Sequence, residues 1–214
     1  MALESTGIES WDGPTLNMSF ASRPHTAAWD HLGELAAVLR RVPFRPVAEA
    51  VDILLEARAR GRRVYVMGNG GSAATASHLV NDLVKTCRVD GYEPLKAFAL
   101  SDNIALITAW ANDAGYEFVF AEQIAAFCGP EDVVIAISAS GNSPNIVNGL
   151  KAAAARGART IALVGFDGGT ASQLADVTIH VQCHDYGLVE DVHGAIGHAW
   201  TAAIQQALLS HGEG

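Results

Sequence analysis

A chain of 214 residues, half of them hydrophobic and 17% charged, can bury a full core without disulfide or metal staples. Its net charge of -9 argues against a nucleic-acid-binding footprint. Three cysteines, Cys87, Cys128 and Cys183, with no C-x-x-C pair argue against a disulfide framework or a cysteine zinc site, and fit a reducing, cytoplasmic compartment.

Residues 1–25 read as an N-terminal arm. They lack the basic start and apolar core of a signal peptide, and no apolar run in the chain reaches membrane-helix length. A single domain is expected over 26–214. From Thr26 to about Arg60, apolar residues recur at helical spacing (Trp29, Leu32, Leu35, Val38, Leu39, then Val47, Ala50, Val51, Leu54, Leu55). Pro43 and Pro46 are expected to divide this run into two helices. Arg63–Met67 is a short β-rich run ending at Gly68, and residues 72–86 are helical in character. Leu95–Leu100 reads as a strand, and 103–127 as one or two helices. Val133–Ile137, Thr160–Val164 and Val177–Val181 read as strands, 144–156 as a helix, and about Val189 to Leu209 as a last helix. Short apolar strands alternating with helices predict an α/β fold in three layers, a five-stranded parallel sheet flanked by helices in the flavodoxin-like manner. Ligands of such sheets bind outside the carboxyl ends of the strands.

Two turns fall at that edge, each after a strand and before a helix. In Gly68-Asn69-Gly70-Gly71-Ser72 the glycines allow close backbone approach, and Ser72 is placed to cap the helix that follows. Ser138-Ala139-Ser140-Gly141-Asn142-Ser143 offers three hydroxyls within six residues. Hydroxyls and free N–H groups at a helix start bind phosphate without a lysine. Neither turn is a P-loop or a G-x-G-x-x-G dinucleotide fingerprint, and no G-x-S-x-G nucleophile elbow occurs.

These turns, with His78 on the first helix, resemble the sugar isomerase (SIS) domain over roughly residues 30–210, and within it the phosphoheptose isomerase branch. The resemblance implies a homotetramer with active sites at subunit interfaces. It also implies an aldose–ketose isomerisation of sedoheptulose 7-phosphate to an aldoheptose 7-phosphate. By position, Ser72, Ser138, Ser140 and Ser143 would hold the phosphate or sugar chain, beside Gly70 and Gly71, with Asn69, Asp102 and Asp113 near the sugar. The catalytic pair would be Asp82 and His198. A zinc ion would be held by His78, Asp82, Glu190 and His198. Three positions depart from the family pattern: Asp82 replaces a glutamate, Glu190 a glutamine and Ala139 a threonine. They bear on which sugar is bound, and leave open another phosphosugar isomerase or a non-catalytic phosphosugar- or protein-binding tetramer.

The residues support the same chemistry directly. His78 and Asp82, four apart on a helix, share a face. Two imidazoles and two carboxylates suit a divalent metal. In the last helix, Asp191 lies seven residues before His198 and aligns with it better than Glu190 does; the motif places Glu190 as the fourth ligand, with Asp191 as the runner-up. His184 and His193, without a partner at helical spacing, read as surface or structural.

Overall fold

The apolar runs form five parallel strands: β1 (Arg63–Gly68), β2 (Lys96–Ala99), β3 (Val133–Ser138), β4 (Arg159–Val164) and β5 (Val177–His180). The computed structural model describes residues 23–211. The strand order is β2-β1-β3-β4-β5, all neighbours parallel, as the alternating pattern predicts. Alternate residues feed opposite faces. Val64 and Val66 of β1, with Val133, Ile135 and Ile137 of β3, join one buried cluster; Tyr65, Met67, Val134 and Ala136 join the other. Both faces are therefore covered, and the strands carry apolar side chains on both sides.

The first cluster is closed by α1 (Arg23–Leu39), α2 (Phe44–Ala59), α3 (Gly71–Asn81) and α8 (Tyr186–His211), through buried Val38, Leu54, Leu79, Ile196 and Trp200. Each such side chain contributes roughly 1.5–3 kcal/mol by leaving water. The second cluster is closed by α5 (Ala121–Phe127), α6 (Pro144–Ala155) and α7 (Ala171–Leu174). Most of the expected N-terminal arm lies outside the described residues, and α1 begins at Arg23.

Three local features differ from expectation, and a fourth carries no earlier expectation. Pro43 separates α1 from α2, but Pro46 sits in the first turn of α2, where its missing N–H removes no helical bond. The 72–86 helix ends in one wide π turn, Asp82–Thr86, closed by a bond from Cys87 N to Asp82 O of 2.8 Å. The last helix starts a turn early, because the Asp185 carboxylate accepts from Leu188 N at 2.9 Å. Finally, α4 (Ile104–Asp113) buries none of its residues completely and leaves Ile104 68% exposed.

Candidate active site

Strand order reverses between β1 and β3, so the helices that follow them leave on opposite faces and open a crevice at their carboxyl ends. Gly68 and Ser138 end these strands, and the two turns meet there. Gly70 takes φ 53°, a left-handed conformation open to glycine at little cost, and starts α3 at once. Gly70 is therefore the cap residue, and Ser72, two positions inside the helix, makes no capping bond; it is buried at the crevice wall.

Asn69 is clamped. Its side-chain amide exchanges two hydrogen bonds with the Asn145 amide, at 2.9 and 2.8 Å, and accepts a third from Tyr116 Oη at 3.0 Å. Asn145 is 2% exposed. The clamp joins the β1 turn to α6 across the crevice. In the second turn, Ser138 Oγ accepts from Gly141 N (3.1 Å) and Ser140 Oγ from Asn142 N (3.3 Å). Both hydroxyls are thus oriented by the backbone with their O–H free to donate. Ser143 heads α6 without making a capping bond. Asn142 Oδ1 accepts from Thr170 N and Oγ1, tying this turn to the loop after β4. Ser72, Ser138, Ser140 and Ser143, with Asn69, Tyr186 and Glu190, line a pocket of about 110 Å³.

A second cleft of about 220 Å³ lies between α3 and α8, lined by His78, Asp82 and His198 with Ala74, Thr75, Leu79, Gly194 and Gly197. The glycines on α8 keep that wall free of side chains. His78 Nε2 lies 3.1 Å from His198 Nε2, and the two lie 3.5 and 3.6 Å from Asp82 Oδ2. Asp82 is buried, and its other oxygen accepts from Thr86 Oγ1 (3.1 Å) and Asn81 Nδ2 (3.3 Å). The π turn begins at Asp82, so His78 and Asp82 keep α-helical phase while Thr86 is brought back onto the carboxylate. Both imidazoles are exposed to the cleft. Two histidine nitrogens and one carboxylate oxygen, all within 4.8 Å of one another, are a donor set of the kind that would hold a divalent ion.

The expected four-ligand set is not gathered in this chain. Glu190 lies in the serine pocket, outside the His78–Asp82–His198 group, because it is eight residues from His198 and a helix turns about 80° off register over that span. Asp191 points elsewhere and pairs with His31 of α1 at 3.3 Å. Asp102 accepts from Ser77 of α3 and lines neither cavity. Asp113, at the exposed end of α4, bonds Asn112 and lines neither cavity. His184 is exposed, stacked on Phe166 and 3.4 Å from Asp167, while His193 is fully buried. Sequence reasoning missed Asn145, Tyr116 and Tyr186. Of these, only Asn145 left a signal, as a polar residue beginning an apolar helix.

The SIS domain family matches residues 30–165, which defines the class of α/β protein carrying this crevice. The phosphoheptose isomerase of Geotalea daltonii is 41% identical over 163 residues, 76% of this chain and 84% of that protein. That of Aquifex aeolicus is 37% identical over 160 residues, 75% and 83% of the two chains. A solved phosphoheptose isomerase from Neisseria gonorrhoeae superposes with a TM-score of 0.80 at 28% identity, covering 86% of this chain and 99% of that one. One from Francisella tularensis gives 0.79 at 26% identity, covering 86% and 97%. The chain belongs to the phosphoheptose isomerase family of SIS-domain proteins.

Proposed function

We propose that this protein is a phosphosugar aldose–ketose isomerase that converts sedoheptulose 7-phosphate to an aldoheptose 7-phosphate through an enediol. One observation carries the reading: a hydroxyl-lined pocket at the switch point of the sheet and a His–Asp–His cleft are both built on α3 and α8. The reaction moves a proton between adjacent carbons and needs a base at carbon and an acid at oxygen. His198, exposed to the cleft, takes the proton from carbon and returns it to the neighbouring carbon; histidine suits this work near neutral pH. Asp82, fixed by Thr86 and Asn81, holds the proton that passes between the two sugar oxygens. Ser140 and Ser143 donate to the phosphate, while Ser72 and Ser138 line the path from it to the cleft.

His78, Asp82 and His198 would hold a divalent ion, zinc by the nature of the donors. When bound, it would polarise the sugar carbonyl and stabilise the charge of the enediolate. Homotetramer formation is supported by the apolar side chains that α1, α2 and α4 leave in solvent, Leu32, Phe44 (84% exposed) and Ile104 among them. No helix among the described residues is long and apolar enough to cross a membrane. A cytoplasmic setting is supported by three free cysteines, two of them buried with thiols pushed up to about 11 by desolvation.

The test is an assay of purified protein against ketose phosphates from pentose to heptose, with products identified by NMR. Isomerisation of the heptose phosphate is expected, lost on exhaustive chelation and restored by zinc. Activity that survives complete metal removal rejects the metal role and leaves the acid–base pair standing. Binding without turnover of any sugar rejects the enzyme.

A further inference from the structure

The chain is acidic, yet its cations are not spread evenly. Arg58, Arg60, Arg62 and Arg63, four of its 14 lysines and arginines, fall within six positions at the end of α2 and the start of β1. The parallel register sets Lys96, the first residue of β2, beside Arg63, and Arg159, the first of β4, beside Val133 of β3. These cations gather at the amino edge of the sheet, the side away from the serine pocket. Between Arg63 and the turn at Gly68, β1 alone interposes roughly 17 Å of strand.

Much of this charge is answered from within. Arg60 pairs with Glu56 at 2.8 Å and Glu131 at 3.1 Å, Arg62 with Glu131, and Arg159 with Asp176 at 3.9 Å. Arg58 and Lys96 are left unanswered. Neither forms an ion pair among the described residues, and both line one cavity of about 490 Å³ between the end of α2 and the loop before β2. Arg58 is fixed by other means: its guanidinium lies 5.1 Å over the Tyr92 ring, Nη1 donates to the Glu93 carbonyl at 3.4 Å, and Nε is buried without a hydrogen-bond partner. The ring and the carbonyl hold the group and leave its charge in force. Gly61 and Gly91, at φ 63° and 87°, form part of the wall and add no side chain to fill the space. Glu93 is the single acid on that wall, against Arg58, Arg60 and Lys96, and it pairs with none of them.

A single exposed cation is well solvated. Three cations lining one concave space repel one another, and a bound anion relieves that repulsion. The space has the size of a small-molecule site. A net charge of -9 over the rest of the chain repels nucleic acid and anionic membranes. The fork of an arginine and the point charge of a lysine suit phosphate oxygens, and two unanswered cations match two anionic groups. We infer that this cavity is a second anion site, separate from the active site, for a small compound carrying a diphosphate or two phosphate groups. Arg58 and Lys96 supply its charge-assisted hydrogen bonds.

The probe is inorganic pyrophosphate, titrated calorimetrically into wild type, Arg58→Gln, Lys96→Gln and Lys151→Gln. Lys151, exposed on α6, is the control, because its substitution removes the same charge away from the cavity. Each cavity variant should bind roughly tenfold more weakly than wild type, the loss of one charge-assisted hydrogen bond. Wild-type affinity should fall as salt is raised, and Lys151→Gln should match wild type. Chelation of a cleft metal by the probe is common to all four samples and cancels between them. Lys96 is exposed, so an unchanged melting temperature in Lys96→Gln separates lost binding from lost folding. A wild type that does not bind pyrophosphate, wild-type affinity in both cavity variants, or an equal loss in Lys151→Gln overturns the site. Binding that vanishes in a Ser140→Ala, Ser143→Ala double variant also overturns it, by placing the probe in the serine pocket.

Discussion

The two cavities along α3 and α8 are built on opposite plans. The serine pocket is made by backbone: its hydroxyls are aimed by N–H groups of their own turn, and its walls are held by the Asn69–Asn145 pair and by Asn142 against Thr170. The His–Asp–His cleft is made by side chains on two helices, and its imidazoles touch little besides each other and Asp82. Geometry in the pocket is a property of the fold, whereas geometry in the cleft is a property of three residues. Substitution in the cleft should therefore alter chemistry and spare structure, and a graded series of measurements can show how sharp that division is.

The largest effect is expected in the cleft. His198→Asn and Asp82→Asn each keep side-chain size and remove the proton-carrying group. Each should lower turnover by roughly 10²–10⁴-fold. Thermal stability and affinity for the phosphate end should change little, read by calorimetry and titration on the same samples. A wild-type rate in both variants would assign the acid–base work elsewhere.

Beneath the division lies one residue shared by neither cavity, His193 of α8. It is fully buried, and burial pushes its imidazole down to about 4, offset slightly by the Val164 backbone. Neither ring nitrogen makes a well-formed hydrogen bond. An unfolded histidine titrates near 6.5. Above that pH, His193 is neutral in both states and contributes no pH dependence. As pH falls from about 6.5 toward 4, the unfolded chain takes up a proton that the folded one refuses, so stability declines across that window and levels off below it. The loss is about 3 kcal/mol in all. Denaturant titrations at several pH values should show this slope, and His193→Leu should flatten it. An unchanged slope in the variant would place the acid sensitivity in the carboxylates.

The smallest effects belong to the pocket. Ser140→Ala and Ser143→Ala should each weaken phosphosugar binding by about 1–3 kcal/mol without affecting the fold. Isothermal titration would read this directly. Unaltered affinity in both variants would leave these serines as ordinary turn residues and put the phosphate somewhere else.

Much of this was open to reading in the sequence because it is local. The strands announce themselves as apolar runs between turns, and the topology follows from their alternation with helices. His78 and Asp82 are a helical turn apart, so their shared face needs no tertiary information. His198 is different: 120 residues away, it entered through family resemblance alone. The position of Glu190 was hidden for a related reason. Periodicity fixes the faces of α8 relative to one another but not the angle at which α8 meets α3, and that angle sends Glu190 to Gly71 and Asp191 to His31. The early start of α8 was readable, since Asp185 stands three residues before Leu188 in capping position. The role of Asn145 was not, because its partner lies 76 residues away, across the crevice.

The clamp on Asn69 also governs how this protein ages. Asn69 precedes Gly70, and in an Asn-Gly pair the next backbone nitrogen readily attacks the side-chain carbonyl, releasing ammonia. Here that carbonyl accepts from Asn145 and Tyr116 while its amide nitrogen donates to Asn145, so the side chain cannot turn toward its attacker without breaking all three bonds. Were the reaction to occur, the new carboxylate would face the Asn145 oxygen, and the clamp could not close again. The contact that shapes the pocket therefore also shields it. A variant that loosens the clamp would lose affinity twice: at once and reversibly through geometry, then slowly and permanently through covalent damage.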